Sequence, residues 1–132
     1  MSAVLDTHTV LWYLEDSEQL STAARNTIED AVRAARQVSV SVISIIETVY
    51  LVERKKLPAA ALQRLQHALT DTGAVLAIAP IDLAVANALE HIPRNVVPDM
   101  PDRIIAATAV HLGAPLVTRD RRLRAAGIQT IW

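Results

Sequence analysis

Val38-Ser39-Val40-Ser41-Val42, followed without a break by Ile43-Ser44-Ile45-Ile46-Glu47, changes its apolar period in mid-stretch. The first part alternates apolar and small polar side chains at period two, which predicts a strand. From Ser44, a hydroxyl able to cap, the pattern turns helical and predicts a helix to about Lys56. A strand that runs straight into a helix is the repeating unit of a parallel sheet, because parallel neighbours need a crossover between them.

The same alternation continues outward in both directions. Ala3-Val4-Leu5 is a short apolar run stopping at Asp6-Thr7-His8, after which Val10, Leu11 and Leu14 recur at helical spacing: strand, polar turn, helix. Ser21 caps a second helix through Ile28 and Val32 to about Arg36. Leu57-Pro58 breaks the Ser44 helix, and Pro58 starts the next, Ala59 to about Thr70, with Gly73 as its close. Val75 to Ala79 reads as a third strand, and Asp82 begins a helix carrying Leu83, Ala86 and Leu89. Ile92 to Pro101 holds three prolines and reads as a long irregular loop. Asp102 opens an alanine-rich helix to about Leu112, which Gly113 ends. Pro115 to Thr118 is a fourth strand, Arg121 to Ala125 a short helix, and Ile128 to Trp132 a fifth strand. The expected fold is a three-layer α/β/α sandwich: a parallel sheet of about five strands, joined by right-handed crossovers, with helices on both faces.

Length and composition bound what such a fold can do. The 132 residues make one domain, 1–132. Apolar residues are 52% and charged residues 20%, a composition that folds. Charges interrupt every apolar run short of a membrane span, and Met1 to Asp6 shows no secretory signal, so a cytoplasmic location is expected. With no cysteine, disulfides and thiolate metal sites are excluded. A net charge of −1 argues against indiscriminate nucleic-acid binding, so any such contact must be local.

Ligand sites in open α/β sheets lie beyond the carboxyl ends of the strands. Asp6 follows the first strand and Asp120 the fourth. Glu47 shares a helical face with Ile43, Ile46 and Tyr50 in an almost wholly apolar segment, which places a charge on an inward face with no Lys or Arg nearby. Such a carboxylate needs a partner or a cation. Asp102 stands at the rim of the helix Ile104-Ile105-Ala106-Ala107, with Asp99 three residues earlier. Each aspartate is also a plausible helix N-cap, and Glu47 could reach a distant arginine. Together, however, carboxylates at one sheet edge would raise one another's pKa unless a counter-charge intervened. Hard oxygen ligands suit Mg²⁺ or Mn²⁺, and an ion there would support hydrolysis of a phosphodiester.

Arg119, Arg121, Arg122 and Arg124 surround Asp120 and could hold the phosphates beside a scissile bond, or simply form a solvated helix face. His8 could relay a proton or pack, while His67, His91 and His111 stand isolated and carry no role.

Leu5-Asp6-Thr7-His8, Ser41 to Glu47, Pro98 to Ala109 and Leu116-Val117-Thr118-Arg119-Asp120, in this order, resemble a PIN domain of the VapC toxin type. The resemblance covers essentially the whole chain. It implies a Mg²⁺- or Mn²⁺-dependent ribonuclease, the toxin of a toxin–antitoxin pair, silenced by an antitoxin encoded beside it. The family's acidic quartet falls on Asp6, Glu47, Asp102 and Asp120, with Asp6, Asp102 and Asp120 as metal ligands. Asp99 matches an additional acidic position, and either it or Asp102 binds the ion directly, Asp102 being preferred. Thr7 and Thr118 match hydroxyl positions that support the carboxylates. The family's fold is likewise a parallel sheet of about five strands, and its members commonly form homodimers.

Rival readings fare less well. A receiver domain needs an Asp after the third strand and a late Lys, but Pro80-Ile81 follows Ala79 and no Lys follows Lys56. An aspartyl-nucleophile phosphatase needs an acid where His8 stands. A PIN-like module that grips RNA or protein without turnover, and an RNA-processing nuclease without an antitoxin, remain open. The antitoxin is expected to send an arginine into the acidic pocket.

Overall fold

The computed structural model describes residues 2–71 and 75–132. Its five strands are β1 (Ala3–Leu5), β2 (Val38–Ser41), β3 (Leu76–Ala79), β4 (Leu116–Val117) and β5 (Thr130–Ile131). All pairings are parallel, in the order β3-β2-β1-β4-β5. The helices are α1 (Thr7–Leu14), α2 (Thr22–Arg33), α3 (Val42–Glu53), α4 (Ala59–Thr70), α5 (Leu83–Ala88), α6 (Met100–Leu112) and α7 (Arg121–Arg124). The expected sandwich is therefore present; the expected close of α4 at Gly73 lies outside the described residues.

Period two in the strands divides the core into two layers. Ala3 and Leu5 of β1, Val38 and Val40 of β2 and Val117 of β4 join Val10, Ile28 and Leu65 on the α1, α2 and α4 side. Val4 and Leu116 point the other way and pack with Val85, Ile105 and Leu123 from α5, α6 and α7. Every residue of β1 and β2 is buried, as a central pair covered by helices on both faces must be.

Two helix starts differ from expectation. Ser41, not Ser44, caps α3, accepting from the Ile43 amide at 3.2 Å. The strand passes into the helix without a linker, and this frees Ser44 to sit fully buried on α3. Helix α6 begins at Met100, with Asp99 as cap and Pro101 in its first turn, rather than at Asp102. Proline lacks an amide hydrogen that the first turn does not use, so it tolerates that position and does not end the loop there. The loop before α6 is also less irregular than its prolines suggest. Ile92 and Val97 are buried, and the Arg103 guanidinium donates to the carbonyls of Leu89 and Ile92, both at 2.9 Å. That anchorage sets the position of Asp99. At the far end Gly113, at φ 62°, closes α6 in the left-handed region.

The chain moves outward from β1 to β2 and β3, then returns across to β4 on β1's other side. The strand order thus reverses between β1 and β4, and the crevice beyond their carboxyl ends is the natural place for a ligand.

Candidate active site

A cleft of about 610 Å³ opens at that point, lined by Asp6, Glu47, Asp99, Asp102 and Asp120 among others. Residues from the β1–α1 junction, α3, the start of α6 and the β4–α7 turn, scattered over the chain, meet here because the sheet order makes β1 and β4 neighbours.

Asp6 is the most enclosed of the five, 8% exposed. One carboxylate oxygen caps α1 by accepting from the Thr9 amide at 2.9 Å. The other accepts from the Thr118 hydroxyl, and that hydroxyl in turn accepts from the Asp120 amide at 3.0 Å. Thr9 Oγ1 donates to the Val117 carbonyl at 3.0 Å, tying the start of α1 to β4. Capping and site membership, rival readings for Asp6 in the sequence, are thus one geometry.

Glu47 accepts from the Thr7 hydroxyl at 2.6 Å, and Thr7 Oγ1 lies 2.9 Å from Ser44 Oγ. A threonine has one hydroxyl proton and a carboxylate only accepts. Thr7 therefore gives its proton to Glu47, and Ser44 supplies the proton of the second contact. The expected inward face of Glu47 holds only in part: Ile43 is buried in the core, whereas Ile46 and Tyr50 are 43% and 56% exposed. Glu47 is half-buried, and its partner is a hydroxyl rather than an arginine.

On the opposite wall the carboxylates bond to backbone. Asp99 accepts from the Asp102 amide at 3.1 Å, and Asp120 caps α7 through the Arg122 amide at 2.8 Å. Asp102, in the first turn of α6, is not a cap. Burial, and then repulsion from Asp99, Asp120, Glu47 and Asp6, push its pKa from 3.8 up to about 7. Burial disfavours the charged form, and the neighbouring carboxylates, with no positive charge among them, add to the effect.

This set fits a hard divalent cation by its chemistry. The donors are carboxylate and hydroxyl oxygens, and a cation among them would offset both the burial and the mutual repulsion that raise the Asp102 pKa. Among the described residues, no three His, Asp or Glu side chains stand close enough together to form a group that could hold an ion.

The arginine cluster divides. Arg119 lines the cleft, whereas Arg121 lies in a separate shallow depression with Arg124, and Arg122 lines neither. Four lining residues carried no signal in the charge pattern: Trp12, Gln19, Leu57 and, in part, His8. Ser44 was read as a cap. Only the i, i+4 spacing of His8 and Trp12 on a helix that begins at Asp6-Thr7 hinted that an aromatic would face the site.

Fold and cleft together define an α/β/α protein with an acidic site at the carboxyl edge of a parallel sheet. The chain belongs to the PIN-domain family, whose model matches residues 3–129. It is 36% identical over 125 residues to Ribonuclease VapC22 of Mycobacterium tuberculosis, covering 93% of this chain and 90% of that one. Similar solved structures include a toxin–antitoxin complex from Klebsiella pneumoniae, with TM-score 0.67, 25% identity, and 99% and 97% of the two chains covered. VapBC2 of Rickettsia felis bound to a promoter DNA fragment shares the fold, at TM-score 0.72 and 17% identity over 98% and 97% of the chains.

Proposed function

We propose that this chain is a Mg²⁺- or Mn²⁺-dependent endoribonuclease acting as the toxin of a toxin–antitoxin pair, with Asp6, Glu47, Asp102 and Asp120 as its catalytic carboxylates. The observation that carries the reading is the single cleft in which these four meet Asp99, in a chain 36% identical to a VapC ribonuclease.

Asp6, Asp102 and Asp120 would hold the ion, which supplies Lewis-acid polarisation of a phosphodiester oxygen and a more acidic attacking water. Thr118, directly after β4, donates to Asp6 and so places that carboxylate before any ligand arrives. Thr7 does the same for Glu47, leaving its other oxygen to orient or take a proton from water. Asp99 keeps the first turn of α6 in place and faces the cleft beside Asp102. Arg119 is the arginine on the lining; Arg121 and Arg122 flank it on α7 for more distant phosphates.

The cognate antitoxin is a protein that covers this cleft and sends an arginine into it, where uncompensated carboxylates await a cation. The working form is a homodimer, and the location is the cytoplasm; among the described residues no helix is long and apolar enough to cross a membrane.

The test is cleavage of defined RNA and DNA oligonucleotides by the purified, antitoxin-free chain with Mg²⁺, Mn²⁺ or EDTA, beside Asp6→Asn. Metal-dependent RNA cutting that the variant loses supports the proposal. A folded chain that neither cuts RNA nor binds Mn²⁺ overturns it in favour of a binding module.

A further inference from the structure

Beside the carboxylates the cleft has a wall of another kind. Trp12, half-buried on α1, lines it with the exposed side chains of His8 and Arg119. The His8 and Trp12 rings lie 5.5 Å apart between centroids, tilted by 47°. Trp132, the residue after β5, meets the same indole at 5.9 Å and 56°. The Arg119 guanidinium lies over the Trp12 ring, 4.7 Å from its centroid.

Arg119 adjoins Asp120 in the chain and shares the cleft with Asp6 and Asp102. Among the described residues it nonetheless forms no ion pair with them and rests on the indole instead. A guanidinium over one aromatic face leaves its opposite plane available to a second flat group. Nucleobases stack on such planes and on indoles, because each base carries a π-face and the guanidinium is flat and weakly hydrated.

An electrostatic argument points the same way. A phosphodiester approaching five carboxylates is repelled, and of the four arginines clustered around Asp120 only Arg119 lines the cleft. Stacking attracts the nucleotide through its base and needs no phosphate contact.

The geometry points to a nucleobase-stacking subsite: the layered Trp12–Arg119 pair, flanked by His8, holds one unpaired base of an RNA strand next to the phosphodiester that enters the carboxylate cleft. This rests on the nuclease reading above and assigns base recognition to Trp12 and Arg119, which a base inside a duplex, already covered on both faces, cannot reach. Arg119 here is a positioning and specificity residue that touches the base, not a mere counter-charge.

The experiment measures binding with the Asp6→Asn chain, so that turnover does not consume the RNA, using tryptophan fluorescence as readout. Its probes are a short single-stranded RNA, the same strand annealed to its complement, and the same backbone made abasic. The single strand is expected to quench fluorescence and to bind about 5- to 150-fold more tightly than the duplex or the abasic strand. Arg119→Lys keeps the charge but loses the plane, and is expected to abolish most of that preference. Trp12→Leu should do the same, with circular dichroism confirming its fold because Trp12 also packs against the core. If that variant does not fold, Arg119→Lys alone carries the test. Equal binding of intact and abasic strands, or an Arg119→Lys chain with the wild-type preference, overturns the subsite.

The two readings fail separately. A wild type that binds bases selectively yet cuts no RNA with metal would sink the nuclease and leave the subsite. Metal-dependent cutting without base preference would do the reverse.

Discussion

On one side of the cleft, Asp6 and Glu47 are each held by a threonine hydroxyl that is itself buried; on the other, Asp99 and Asp120 bond to backbone amides and Asp102 has its pKa raised to about 7. Thr7, Ser44 and Thr118 are 3%, 0% and 0% exposed, so the first wall cannot easily rearrange. Asp99 is exposed and Asp102 only partly covered, so the second can. For the proposed metal-dependent reaction, the first wall would be in position before a ligand arrives, and a cation would favour the ionised form of Asp102 on the second.

The largest effect should come from the rigid wall. Asp6→Asn is expected to cut RNA cleavage by more than the roughly 10- to 100-fold that loss of a supporting partner brings. A turnover assay showing a smaller loss, with unchanged circular dichroism, would move the chemistry away from Asp6. Thr7→Val should fall within that range of about 10- to 100-fold, by releasing Glu47. Activity of Thr7→Val at the wild-type level would mean that Glu47 needs no orientation.

Thr118→Val tests the same wall through stability. It strips a donor from an almost enclosed Asp6 and an acceptor from the Asp120 amide, a loss of about 1–3 kcal/mol in urea unfolding. A loss no greater than at an exposed cap would show that the two walls are equally soft.

The responsive wall should reveal itself in pH dependence. Asp102 sits at about 7 in the folded chain against an ordinary 3.8, so between these values the folded state keeps a proton that the unfolded state has released. Its contribution to stability is therefore full at low pH and is lost as pH rises through about 7. In EDTA, the urea midpoint of wild type relative to Asp102→Asn should fall between about pH 4 and about pH 8, and Mn²⁺ should recover it at the upper end. A relative midpoint that climbs with pH would contradict the repulsion. The smallest effect belongs to Asp99→Ala, about 1 kcal/mol from the lost cap, with Asp99→Asn close to wild type in thermal unfolding.

Much of this was legible from local pattern. Period two in Val38 to Ser41 and helical spacing in the segments between strands report burial over a few neighbouring residues, and local burial is what alternation encodes. The acidic positions were legible too, because a carboxylate directly after a strand or within an apolar helix stands out against its neighbours. The start of α6 was misplaced because proline reads as a helix breaker unless one knows it sits in a first turn. Ser44 was misjudged because Ser41 and Ser44 are equally good caps by type.

What the sequence by itself determined is the α/β alternation, the parallel sheet and the identity of the acids. Only the tertiary structure decided their partners: Thr118 lies 112 residues from Asp6 and Thr7 lies 40 from Glu47. It alone separated Arg119 from Arg121 and Arg122, and brought Trp12 and Trp132 to the same rim. Such contacts depend on which strands become neighbours, and the return of β4 across β1 is a choice of the whole packed sheet that no local period records.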